Sequence, residues 1–197
     1  MLKNQLRPAI VLTLLLCVIT GLVYPGVMTA VAQLLFPRQA NGSLIADAKG
    51  QVIGSALIGQ QFGRAEYFHA RPSAAGNGYD DTLSAGTNKG PTDLKLADTL
   101  VTQAVDSAVK LDGAVRGKVP ADLATRSGSG LDPHISPASA ELQVDRVARA
   151  RRFDPAVVRQ LVAHHTEGRS WGFLGDPRVN VLLLNLALDS VAAVQRP

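Results

Sequence analysis

The sequence predicts an α+β protein: a single N-terminal transmembrane helix followed by one mixed soluble domain with a small sheet and several helices. Three observations predict it. Between Arg7 and Arg38 the stretch Pro8 to Pro37 carries no charged residue. Short runs rich in Ile, Val and Leu then flank Lys49-Gly50 as a β-hairpin would. Beyond them come one segment with apolar residues at three-and-four spacing and three Ser-Pro or Asp-Pro pairs of the kind that start helices. The domain boundaries follow: 1–37 as the anchor and 38–197 as an extracytoplasmic domain.

The anchor comes first. Ala9 to Val23 reads AIVLTLLLCVITGLV, and Val27 to Phe36 reads VMTAVAQLLF. Backbone amides in hydrocarbon must be satisfied internally, so a run of this length is read as a membrane helix. Tyr24-Pro25-Gly26 predicts a kink about two-thirds of the way along, because proline removes one backbone bond and clashes with the preceding turn. A signal peptide is the competing reading: Lys3 and Arg7 give a basic start, and Ala30-Val31-Ala32 is a small-x-small cleavage site. Leu34, Leu35 and Phe36 prolong the apolar run past that site and favour a retained anchor. Lys3, Arg7 and the amino terminus outweigh Arg38 and Lys49, so the start is cytoplasmic and the remainder faces outward.

Residues 38–197 have the length of one domain. The whole chain carries a net charge of +4 and a pI near 9.5. Setting Lys3 and Arg7 aside from 20 basic residues leaves 18 against 16 acidic ones, a net +2. That is no nucleic-acid footprint, so no nucleic-acid partner is expected. Cys17, the one cysteine, lies inside the membrane run, which excludes disulfides, an outer thiol nucleophile and a cysteine metal site.

In the outer domain, Ser43-Leu44-Ile45 and Gln51 to Ile58 are the hairpin strands, the second read as buried. Residues 64–91 are glycine-rich and irregular; a loop this long needs its own anchors, and Tyr67, Phe68, His69 and Arg71 form a candidate recognition patch. Residues 92–112 read as a helix, capped by Thr92 and stopped by Gly113, with Leu94, Ala97, Leu100, Val101, Ala104, Val105, Ala108 and Leu111 on its packed face. Ser136-Pro137, Asp154-Pro155 and Asp176-Pro177 predict helices over about 137–151, 155–166 and 177–193. Arg149, Arg151 and Arg152 read as a solvated C-terminal turn. Trp171 to Leu174 read as a short strand, and Val179 to Leu188 as a buried helix whose first half has strand character.

No catalytic constellation emerges. His164 and His165 point about 100° apart on a helix and share no metal face. Asp132 and His134, separated by Pro133, read as a structural turn rather than a cation site. Ser127 and Ser129 lie near His134, but no nucleophile elbow is present. Neither a phosphate loop nor a dinucleotide fingerprint occurs. Neither catalytic nor metal-binding residues are expected; a single-span protein without a reaction centre is usually an accessory subunit.

Ser127-Gly128-Ser129-Gly130-Leu131-Asp132-Pro133-His134-Ile135-Ser136-Pro137, followed by Gln143-Val144 and Arg146 to Arg151, resembles the signature of the C subunit of the bacterial Kdp potassium pump. The resemblance extends over Tyr24-Pro25-Gly26, Gly54 to Phe62, Tyr67 to Ser73, Ser84 to Pro91 and Val179 to Leu188. Asp145 departs from it, standing where the family commonly has proline. The resemblance implies a retained anchor in the bacterial inner (plasma) membrane and a four-part complex. Its partners there are a channel-like potassium-binding A subunit, a P-type ATPase B subunit that hydrolyses ATP and a small single-helix F subunit, with membrane lipid around the span. It implies no cofactor of the chain's own, ATP and K+ being handled by the complex. It also implies a proposed role as a catalytic chaperone that raises the ATPase subunit's nucleotide affinity, with Gln143 as a candidate nucleotide contact. An outward, periplasmic domain does not meet cytoplasmic ATP, so the topology predicts instead an outer cap that stabilises the assembly or shapes ion entry. The alternative is a secreted or anchored small-ligand-binding protein, motivated by Ala30-Val31-Ala32 and the 64–91 loop.

Overall fold

The computed structural model describes residues 2–47 and 49–194, which divide into two compact units, Met1–Ile53 and Gly54–Pro197. Met1, whose amino group enters the orientation argument, and the last three residues of the expected domain lie outside the described residues.

Unit one is dominated by the apolar run. Helix α1 (Leu2–Val18) passes through a π-helical stretch, Ile19–Val23, into α2 (Tyr24–Leu35). Asn4–Leu35 forms a 32-residue helix long and apolar enough to cross a membrane, none of it buried against other parts of the chain. The expected disturbance at Pro25 takes the form of a widened turn just before it. The Tyr24 N–H donates to the Ile19 carbonyl, one residue further back than an α-helix requires, and Pro25 follows in the first turn of α2. Upstream, the Thr20 hydroxyl donates to the Leu16 carbonyl at 2.7 Å. Local π adjustment and hydroxyl back-bonding are how membrane helices accommodate proline. The helix runs on through Ala30-Val31-Ala32 and ends at Phe36, beyond which Pro37–Ala40 makes one further turn, α3.

The hairpin consists of β1 (Leu44–Ala46) and β2 (Val52–Ser55). Asp47 closes its turn by accepting from the Lys49 and Gln51 N–H groups, both at 2.9 Å. The second strand is shorter and more open than its sequence implied: Val52, Ile53 and Leu57 are exposed. An Ile- and Val-rich run is hidden only where a second layer covers it, and a two-stranded ribbon does not supply one.

Unit two is built on a three-stranded antiparallel sheet of β3 (His134–Ile135), β4 (Thr166–Glu167) and β5 (Arg178–Asn180), with β5 central. Ile135 and Thr166 both face Val179 in register. Before it, Lys95–Val101 is π-helical and continues as α4 (Thr102–Asp112), and Ala121–Ala124 forms α5. Helices α6 (Pro137–Arg151), α7 (Pro155–His164) and α8 (Val181–Val194) pack on one another around one core. Val144, Val147, Val158, Val179, Leu184 and Leu188 are fully buried there, and so is Phe68, which reaches in from the long loop.

The caps are instructive. Ser136 Oγ accepts from the Ser139 N–H at 3.1 Å and Asp154 Oδ1 from the Ala156 N–H at 2.8 Å, as the sequence predicts. Asp122 strengthens the first of these, its carboxylate accepting from the Ser136 N–H and from the Ser136 and Ser139 hydroxyls at 2.7–3.0 Å. Asp176-Pro177, in contrast, starts no helix. The chain stays extended through β5, and α8 begins only at Val181, where Asn180 Oδ1 accepts from the Leu183 N–H at 3.1 Å. Likewise the cap at 92–95 is Asp93, accepting from the Lys95 and Leu96 N–H groups, rather than Thr92. Gly113 ends α4 in the left-handed conformation its position demands. Of the predicted packed face before it, Ala108 is buried whereas Leu94 and Leu111 are exposed. Trp171 to Leu174 form a turn closed by an antiparallel bridge between Ser170 and Leu174 rather than a strand.

Candidate functional site

Residues 64–91 cross the surface of unit two without a strand or helix. A buried backbone must still find partners. Here two side-chain amides supply them, each acting as an adjacent strand would. Asn185 Oδ1 accepts from the Phe68 N–H at 2.8 Å while its Nδ2 donates to the Phe68 carbonyl at 3.0 Å. Gln143 repeats the pattern one residue on: Oε1 accepts from the His69 N–H at 2.7 Å and Nε2 donates to the His69 carbonyl at 3.1 Å. Both amides are almost completely buried.

Arg146 lies one turn along α6 from Gln143 and ties the same segment to α4. Its Nε donates to Asp112 Oδ1 at 2.6 Å, Nη1 to the Ala65 and Tyr67 carbonyls at 2.7 and 2.8 Å, and Nη2 to Gln143 Oε1 at 2.8 Å. Both members of the ion pair are buried, with side chains 8% and 6% exposed. Arg151 continues the row. It donates from Nε to the Glu66 carbonyl at 2.6 Å and from Nη2 to Asp189 at 2.7 Å, and its guanidinium stacks on Tyr67 at 4.8 Å. The Tyr67 hydroxyl donates to the same Asp189. Arg151 is therefore not part of a solvated turn; its side chain is 8% exposed because it spans the loop.

The far half of the loop leans on the Ser127 to Asp132 turn. Ser73 Oγ donates to the Gly130 carbonyl at 2.6 Å, the Ala85 N–H donates to the Ser129 carbonyl at 3.0 Å, and Arg71 Nη1 donates to Asp132 at 2.9 Å. Gly130 has φ +69°, and a Cβ there would meet the Ala85 carbonyl oxygen at 2.5 Å, so the turn needs glycine twice over. Ser127 and Ser129 accept from the Gly130 and Leu131 N–H groups, shaping the turn. On Asp132, burial works to raise the carboxyl; the contacts from His134 and Arg71 outweigh it and hold it below the ordinary value of 3.8. Two clefts flank His69 to Pro72: one of about 280 Å³ against α4, lined by Leu100, Ala104, Leu111 and Arg126, and a polar one of about 290 Å³ lined by Gln61, Arg71, Asn77 and Tyr79. Among the described residues, Arg71 Nε is buried without a partner.

The model of one protein family, described as KdpC, the K+-transporting ATPase c chain, matches residues 6–190. The chain belongs to this family. Relatives agree over nearly full length. A protein of Gemmatimonas aurantiaca is 63% identical over 191 residues, covering 96% of this chain and 94% of the relative. One of Koribacter versatilis is 52% identical over 99% of both chains. One of Sorangium cellulosum is 56% identical over 94% of this chain and 97% of the relative. Each is named a potassium-transporting ATPase KdpC subunit.

In this family member, the residues singled out from sequence converge only in part. Tyr67, Phe68, His69 and Arg71 do lie together, but Phe68 points into the core and Tyr67 is held by Arg151 and Asp189. Gln143 is 0% exposed and its amide is spent on His69 and Arg146, so a ligand reaches it only if the loop releases it. Asp145, the departure from the family pattern, is exposed on α6 and pairs with Arg159 at 3.3 Å. Arg146, Asn185 and Asp112 carry the clamp, yet no role was expected for them. A polar pair at i and i+3 inside the apolar face of Val144 and Val147 is the signal that marks Gln143 and Arg146.

Burial, and then Arg146, hold the His69 imidazole below its ordinary value of 6.5. Burial, and then His164, do the same to His165. The unfolded chain therefore takes up more protons than the folded one as pH falls through about 6.5, and stability present above that pH is lost below it. The thermal midpoint of the detergent-solubilised chain is expected to fall between about pH 7.5 and pH 5.5, less steeply in His69→Gln. A midpoint that stays level over this range contradicts the assignment.

Proposed function

We propose that the chain is a non-catalytic accessory subunit of a high-affinity, ATP-driven potassium uptake pump. The family match over residues 6–190 is the observation that carries this. In the proposal, one retained span crosses the bacterial inner membrane from a cytoplasmic start. Residues 38–197 then lie on the periplasmic side, where they stabilise the assembly of the channel-like A subunit, the P-type ATPase B subunit and the small F subunit. The use of polar side chains supports a scaffolding role. Gln143, Arg146, Arg151 and Asn185 hold a surface loop in one shape, as a recognition surface requires. Raising ATP affinity through Gln143 is the finer proposal, and it requires the His69 segment to leave the amide.

Deletion tests this. A pump purified through a tag on another subunit is expected to lose its potassium-stimulated ATPase activity when this chain is absent, and to regain it when the chain is supplied in trans. Recovery of a fully active complex without the chain overturns the proposal.

A further inference from the structure

The turn at Ser170–Leu174 is held firmly, yet its largest side chains point outward. Ser170 and Leu174 exchange both backbone hydrogen bonds at 2.9 Å, and the Gly172 N–H donates to the Arg169 carbonyl at 3.1 Å. Trp171 has φ +54°, a conformation side chains rarely adopt, and Gly172 and Gly175 are also left-handed. This framework displays Trp171 at 85% exposure, Phe173 at 68% and Leu174 at 46%. Trp171 is also the only tryptophan of the chain. Rigid aromatic side chains offered together are the composition of an interface hot spot.

The charges beside the turn decide between a bilayer and a protein. Interfacial lipid anchors carry free lysine or arginine for anionic headgroups. Here Arg169 is paired with Asp176 at 3.1 Å and Arg178 with Glu167 at 2.8 Å, so both arginines flanking the turn are already neutralised by carboxylates. We propose that the Trp171 to Leu174 turn is a docking anchor that seats in an apolar, neutral-rimmed pocket on another subunit of the pump. This rests on the accessory-subunit reading and adds to it the surface by which the chain is held.

The test uses the full chain in the assembled pump, purified through a tag on a partner subunit. Trp171→Ala with Phe173→Ala is expected to lower the amount of chain recovered by roughly tenfold or more, while leaving its thermal midpoint unchanged. Phe173→benzoylphenylalanine, illuminated in the intact complex, is expected to form an adduct with another pump subunit. Recovery of the double variant at the wild-type level, an adduct with lipid alone, or no adduct in an intact complex overturns the anchor while leaving the subunit reading standing. Failure of the wild-type chain to co-purify rejects the subunit reading, and the anchor with it.

Discussion

Arg146→Met is expected to destabilise the domain by about 3–5 kcal/mol, because removing one member of a buried ion pair strands the other. Asp112 would keep a carboxylate that is 6% exposed and has lost its cation. The Ala65 and Tyr67 carbonyls and Gln143 Oε1 would lose a donor at the same time. Methionine fills much of the volume but donates nothing. Thermal unfolding of the variant in detergent checks this, and a domain as stable as wild type contradicts it. Arg146→Met with Asp112→Leu should recover part of the loss, since no uncompensated charge then stays buried.

Gln143→Leu is the second large effect, expected at about 2–5 kcal/mol. It leaves the His69 N–H and carbonyl without their side-chain partners, each worth roughly 1–3 kcal/mol, and takes an acceptor from Arg146. The same variant separates the two roles proposed for this glutamine. A clamp predicts a lower unfolding midpoint and protease cleavage near residues 65–69. A nucleotide contact predicts a weaker nucleotide affinity of the assembled pump in a chain whose midpoint is unchanged.

Features set by local chemistry were legible in the sequence. The uncharged run announces a span, Ser136-Pro137 and Asp154-Pro155 announce helices at the residues where they begin, and Gly113 marks a helix end. Local signals failed where a neighbour offered a better alternative. Asp176-Pro177 has the right chemistry for a helix start, but pairing of Arg178–Asn180 with β3 and β4 keeps the chain extended until Asn180 caps instead. The clamp was out of reach for another reason. Gln143 and Arg146 lie on α6 while their partners in the loop lie some 74 to 81 residues earlier, and no periodicity records such a pairing. Arg151 shows the same limit: its place at a helix end is explained equally well by the helix dipole, and only the fold shows Glu66 and Tyr67 beneath it.

Sidedness decides which ligands and partners the domain reaches. With Cys17→Ala removing the one native cysteine and Gln160→Cys placing a thiol on the exposed face of α7, intact spheroplasts can be treated with a membrane-impermeant maleimide. A cytoplasmic start with residues 38–197 outside predicts labelling before any permeabilisation. Labelling that appears only after the membrane is opened places the domain with the ATP and contradicts the outward scaffold.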